Sequence, residues 1–271
     1  MIATRKLLSA LLFVPFLAAA NVHAVTSVDF SDQWWAANEP GWGASIHQQS
    51  NTLVVNLLLY GIDSRPTWFL AAAARQANAP NGHAVFAGDL YGYTGDYLGG
   101  TFNSGRVNAR KVGTLTFDAS SANAATMSYS VDGVPVVKDV TRQTWGYEGL
   151  SGTYSGVWRG NLTGCSMAPR GAVTPFDEPL GIKVVHNADN TVSLSLTFSD
   201  NVVDVFNGTY TQVGHLGRIE GICNGGGCGS ITVSDIETTP LGFSGRFEGD
   251  LITYHWRDWC NMAGTIGGLR R

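Results

Sequence analysis

The sequence is short of charge. Lys, Arg, Asp and Glu make up 14% of its 271 residues, against about 25% in an average soluble domain. Basic excess is missing as well, because the net charge is −4 and the isoelectric point is near 5.8. No nucleic-acid partner is expected without a basic footprint. Helical periodicity is absent: beyond the first 24 residues no stretch holds the helical period over three turns. The common catalytic signatures are absent too, with no Gly-x-Ser-x-Gly, no His-Glu-x-x-His, no phosphate loop and no Rossmann glycine pattern. His47, His83, His186, His215 and His255 are scattered, none paired with another at metal-ligand spacing. What is present is a hydrophobic fraction of 44%, which excludes disorder, and a length that allows one or two domains, each with a core of its own.

The start of the chain reads as a targeting segment. Arg5 and Lys6 form a positive n-region, Leu7 to Ala20 is apolar, and Val22-His23-Ala24 supplies the small residues of a signal-peptidase site. The apolar stretch of 14 residues is shorter than the roughly 18 that cross a bilayer as a helix. Cleavage is expected after Ala24, and no Cys follows to carry a lipid anchor. Residues 1–24 are therefore a signal peptide and the mature chain is periplasmic or secreted. Cysteine usage fits export: Cys165, Cys223, Cys228 and Cys260 are even in number. Four cysteines allow three pairings. Cys223 and Cys228 flank Asn-Gly-Gly-Gly, a loop able to fold back on itself, which leaves Cys165 for Cys260. A thiolate metal site is the rival reading, but it usually shows two close pairs or a pair with nearby histidines.

Period-two alternation dominates the rest. Val192, Leu194, Leu196 and Phe198 alternate with Ser193, Ser195 and Thr197, and Met127, Tyr129 and Val131 alternate with Ser128 and Ser130. These are strands with one buried face. Ser50-Asn51, Asp132-Gly133, Asp189-Asn190, Asp200-Asn201 and Gly249-Asp250 read as hairpin turns, Asp132-Gly133 carrying the strongest signal. About seven runs precede a join near 146–150, from 43–49 to 134–145. Eight or nine follow it, the first at 151–161 and the second only at 181–187, with 241–248, 251–259 and 260–269 at the end. The echo of Ser151-Gly152-Thr153-Tyr154 in Asn207-Gly208-Thr209-Tyr210 hints at repeated hairpins. If 260–269 closes the second set, its start lies beside the end of that set's first strand, where Cys165 sits. The fold expected is all-β: two small antiparallel up-and-down, calycin-like barrels in tandem, over 25–147 and 148–271.

Residues 34–43 read Trp-Trp-Ala-Ala-Asn-Glu-Pro-Gly-Trp-Gly. Pro40 and Gly41 suit the central positions of a tight turn, Gly41 where φ is positive. Gly43 is expected to let a neighbouring ring lie against bare backbone. Then come His47-Gln48-Gln49, a Leu53 to Tyr60 strand, and Asp63 ahead of Pro66-Thr67-Trp68-Phe69. With Gly99-Gly100-Thr101-Phe102, Gly113-Thr114-Leu115-Thr116-Phe117-Asp118, Tyr129 and Asp132-Gly133, residues 34–133 resemble an uncharacterised family of secreted bacterial proteins. Its members carry a Trp, then Glu/Gln-Ser/Pro-Gly-Trp/Glu-Gly, a strand ending in Tyr-Asp, and Pro-x-Trp. This chain departs from the pattern at Tyr60-Gly61-Ile62-Asp63, Val112 and Ala119. The resemblance implies a barrel and export, and brings no reaction with it.

The candidate site is aromatic. In an up-and-down barrel turns alternate between ends, so the Pro40-Gly41 turn and the 61–66 loop share the end opposite Ser50-Asn51. That gathers Trp34, Trp35, Trp42 and Trp68 near one rim, either as a ligand platform with Gln48 or Asp63 supplying hydrogen bonds, or as the plug of the barrel. A non-catalytic exported binding or interaction module is the function expected, its ligand a small apolar molecule or a carbohydrate, with no metal or cofactor. Two alternatives stand beside it. One is a hydrolase of envelope polymers using Glu39 and Asp63; the other is an outer-membrane barrel. Membrane insertion is the less expected, because such barrels need long strands and aromatic girdles, and this chain ends on Leu269-Arg270-Arg271.

Overall fold

The computed structural model describes residues 28–79, 82–224, 228–253 and 258–271; residues 1–24, read above as a signal peptide, lie outside them. Two closed antiparallel barrels follow each other along the chain. Barrel one is β1 (Asp32–Trp35), β2 (Gly43–Gln49), β3 (Thr52–Tyr60), β4 (Pro66–Arg75), β5 (Ala84–Thr94), β6 (Asn108–Ala119), β7 (Ala124–Val131) and β8 (Val134–Arg142). Barrel two is β9 (Gly152–Thr163), β10 (Val173–His186), β11 (Thr191–Thr197), β12 (Val203–Val213), β13 (Leu216–Cys223), β14 (Ser230–Thr239), β15 (Gly242–Thr253) and β16 (Asp258–Arg270). Each strand pairs with its sequence neighbours, and the first closes on the last.

Alternation builds the core. Leu53, Val55 and Leu57 on β3 are fully buried in barrel one, and Val192, Leu194 and Leu196 on β11 are buried in barrel two. The alternate residues face out, because successive side chains of a strand point to opposite faces. The turns Ser50, Asp132-Gly133, Asn190 and Asn201 all take positive φ. Asp132 and Gly133 do so consecutively, at 48° and 85°, which is what a two-residue type I′ hairpin demands.

The structure corrects the strand reading at three places. β1 was not anticipated, being four residues long and too short to display alternation. β10 begins at Val173 rather than near 181; its first half is mostly exposed and carries Pro175, Asp177, Glu178 and Pro179, so no buried face is legible there. Gly249-Asp250 is not a turn but lies inside β15, paired with Met262 and Asn261. A Cβ at Gly249 would fall 2.2 Å from the Ser230 carbonyl oxygen, so glycine serves the close approach of β14.

Each barrel is shut at one end by the same lock. In barrel one the Trp34 Nε1–H donates to the Phe30 carbonyl at 3.0 Å, and Arg142, Trp34's cross-strand partner, lies 5.0 Å over its ring. The guanidinium donates to the carbonyls of Asp29 and Ser31. In barrel two the Tyr154 hydroxyl donates to the Leu150 carbonyl at 2.6 Å, and Arg270, its cross-strand partner, lies 5.2 Å over the ring. Arg270 donates to Gly149 and Ser151. The offsets coincide: the aromatic bonds four residues back, and the arginine bonds three and five residues before the aromatic. The seams differ. β1 and β8 share two registered pairs, β9 and β16 ten.

Both expected disulfides form, Cys165 with Cys260 and Cys223 with Cys228. The register argument holds, since Thr163, two residues before Cys165, pairs with Asn261. Two disulfides indicate an oxidising, non-cytoplasmic location. Among the described residues no helix is long and apolar enough to cross a membrane.

Candidate functional site

The two ends of barrel one are chemically unlike. The locked end carries residues 50–51, 76–79, 82–83 and 120–123, small or polar, with His83 the one ring among them. The other, open end carries the connections 36–42, 61–65 and 95–107 and the Asp132-Gly133 turn. Of the seven exposed aromatic rings among the described residues, four lie at or beside this end: Tyr60, Trp68, Tyr97 and Phe102. Ile62 and Leu98 stand almost wholly in solvent beside them.

Trp68 is the centre of this surface. On β4, Ala71 and Ala73 point inward, fully buried, and Phe69 packs against the core, so the even-numbered Trp68 faces out. There it stacks on Tyr93 of β5 with ring centroids 5.5 Å apart and planes 9° from parallel. Trp68 keeps 48% of its surface exposed, with Leu58 opposite it on β3. The result is a two-ring platform on the outer wall beside the open rim.

A polar cluster occupies the mouth. Lys138 follows the inward parity of Val140 and Arg142 on β8, and its Nζ donates to Glu39 Oε1 at 2.8 Å. The indole N–H of Trp42 donates to the other oxygen at 3.2 Å, and the Trp42 ring packs against the core. The bond from Lys138 holds the Glu39 carboxyl below the usual glutamate range, with the Trp42 bond acting the same way against burial. Below them Tyr129 is pushed up, first by burial and then by the Glu39 charge. A carboxyl held ionised in this way is poorly suited to act as a general acid near neutral pH.

The structure separates the residues singled out from sequence. Trp34 is fully buried, edge-on to Phe117 at 4.9 Å, and belongs to the lock. Gln48 is also at the locked end, accepting from the Phe30 N–H at 2.9 Å and donating to Ser50. Trp35 sits on β1 opposite Thr141, partly buried. Trp42 lines the mouth. Trp68 and Asp63 are at the open rim, where Asp63 accepts the Arg65 N–H at 3.1 Å and stands 3.6 Å from its guanidinium. The gathering of four indoles at one rim is thus corrected: β1 swings Trp34 to the other end. Glu39 and Asp63 bond to different cations. Gly43 receives no ring; the Trp34 carbonyl approaches within 2.9 Å of where its Cβ would stand.

Sequence reasoning missed Tyr93, Tyr60 and Tyr97 as companions of Trp68, and Lys138 as the cation of the mouth. Lys138 left a signal, the single basic residue in Val134-Pro-Val-Val-Lys-Asp-Val140. Tyr93 left none without the β4–β5 register. Compared with known protein families, curated proteins and solved structures, the chain finds no match.

Proposed function

We propose that the protein is an exported, non-catalytic binding module of the periplasm or the extracellular space, and that it takes a small uncharged ligand with a flat apolar face, such as a sugar ring, on the Trp68–Tyr93 platform. The observation that carries this reading is the half-exposed stacked pair. A large aromatic ring buries roughly 150–250 Å² when fully covered, and this pair leaves a good part of that in water, an arrangement that favours a covering ligand. The charges of this end are matched among themselves, as Lys138–Glu39, Arg65–Asp63, Arg106–Asp96 and Arg110–Asp132, so its field favours no ion of either sign. Export is supported by the segment ending at Val22-His23-Ala24 and by the disulfides. The apolar faces of both barrels point inward, the reverse of a lipid-embedded barrel.

Calorimetric titration with soluble neutral oligosaccharides, followed in parallel by indole fluorescence, tests the reading. Trp68→Ala is expected to abolish the heat and the fluorescence change while the fold is retained. Unchanged binding by Trp68→Ala, or no binding of any oligosaccharide by the intact protein, overturns it.

A further inference from the structure

The barrels meet where barrel one is locked. The turn between β12 and β13 presses against Arg142, and Gly214 there has φ +62°. A Cβ at Gly214 would stand 2.1 Å from Asp32 Oδ2 and 2.6 Å from Arg142 Cβ, so glycine is what lets the turn come this close. The next residue grips Asp32 twice. The His215 backbone N–H donates to Asp32 Oδ2 at 3.0 Å, and its Nδ1 lies 2.8 Å from the same oxygen. Arg142 Nη1 reaches that oxygen from the other side at 3.2 Å. One carboxylate oxygen of barrel one therefore receives two donors from barrel two and one from its own barrel. The Arg142 side chain is wholly buried, with Asp32 11% and His215 33% exposed.

The joint between the barrels is strapped down around this point. The Gly214 N–H donates to Thr144 Oγ1 at 2.8 Å. Gln212 Nε2 donates to the Gly146 carbonyl at 2.8 Å, and Gln212 Oε1 accepts the Glu148 N–H at 2.9 Å. The remaining charged groups facing Arg142 are Asp29, just before β1, and Glu237 of β14.

The geometry points to Asp32 as the pin of an acid-opened clasp that fixes barrel two against the locked end of barrel one. Ionised, Asp32 neutralises a buried guanidinium and accepts all three donors. Protonated, it loses its charge and part of its accepting capacity, and Arg142 keeps a buried positive charge with its nearest counter-charge gone. Burial raises the Asp32 carboxyl, but the hydrogen bonds from His215 and Gln33 outweigh it, and the net shift is downward. The sign follows from that direction. A depressed carboxyl contributes stability above the ordinary aspartate value of about 3.9, and that contribution is lost as pH falls through the lowered value. The clasp is shut at neutral pH and opens in strong acid. Arg142 does not titrate in this range, since a guanidinium stays protonated even when burial lowers it.

Trp145 and Tyr147 supply the readout, because both rings are exposed in the joint while the backbone beside them is strapped. The full chain is digested with chymotrypsin at neutral pH, and its radius of gyration is measured by small-angle scattering. Asp32→Asn keeps the shape and removes the charge. It is expected to raise cleavage at Trp145 or Tyr147 by roughly tenfold or more, the loss of one charge-assisted hydrogen bond, and to enlarge the particle with both barrels still folded by near-ultraviolet dichroism. His215→Ala lies in a turn outside both cores and is expected to act in the same direction, which decides the matter if Asp32→Asn does not fold. Lowering the pH from about 5 to about 2.5 should enlarge the wild type and leave His215→Ala, already open, unchanged. Unchanged cleavage and size in the folded variants, or acid expansion of equal extent in wild type and His215→Ala, overturns the proposal.

Discussion

Barrels one and two close themselves with the same aromatic–arginine lock, yet the two arginines live in opposite environments. Arg142 is buried to 2% of its surface, because the Gly214-His215 turn covers it and Asp32 pairs with it. Arg270 has the same carbonyl partners at the same offsets but stays exposed. The other ends contrast as well. Barrel two fills its end with Trp158 packed against Phe176, Phe198 and Phe247 at 5.2 to 5.4 Å. Barrel one instead places Trp68 and Tyr93 on the outer wall. One architecture thus serves two uses. At these ends barrel two packs Trp158, Phe176, Phe198 and Phe247 against one another, and barrel one turns Trp68 and Tyr93 outward.

Four measurements break or sharpen this contrast. The largest effect is expected from replacing Cys165 and Cys260 by Ser. That bond closes 95 residues, and its loss should cost barrel two about 4–5 kcal/mol in the chain-entropy picture, leaving the unfolding of barrel one unmoved; a shift in both would show that the barrels unfold as one. Next come the paired arginines. Arg142→Ala breaks a buried ion pair and should cost about 3–5 kcal/mol, whereas Arg270→Ala, losing exposed hydrogen bonds, should cost about 1 kcal/mol. Equal losses in chemical denaturation would mean that burial by the neighbouring barrel adds nothing. Smaller again is Tyr154→Phe, which removes the hydroxyl from the Leu150 carbonyl and should cost about 1 kcal/mol in the same assay. Trp68→Ala is expected to cost about 0.5–1 kcal/mol, the worth of its stacking on Tyr93, and a core-sized loss would deny that the ring is free for a ligand.

Much of the fold was legible because each barrel strand writes its buried face in alternate letters. Leu53 to Leu57 and Val192 to Leu196 need no partner to be read, and the closing disulfide followed from the glycine loop between Cys223 and Cys228 together with the order of the strands. β1 escaped because Trp34 and Trp35 are apolar on both faces, so parity says nothing about which ring points inward. The early half of β10 escaped because Phe176 alone packs inward there, among exposed prolines and acids. The site was less legible for a different reason: it is made of pairs set by register. Trp68 with Tyr93, and Glu39 with Lys138, meet only once the strands are ordered. Asp32 with His215 meets only once the two barrels are placed.

The unequal seams have a mechanical consequence. In each barrel the first strand enters and the last strand leaves at the same end of their shared ladder, so tension on those strands peels the ladder one pair at a time. β9 and β16 resist through ten pairs, while β1 and β8 have two, and one of these is the Trp34–Arg142 pair of the lock itself. A chain pulled from its two ends should therefore open barrel one over a short extension, its seam held by two pairs and the Arg142 guanidinium, whereas the ladder of barrel two gives way over a longer one and stops at Cys165–Cys260, which shields the rest of that barrel from the pull.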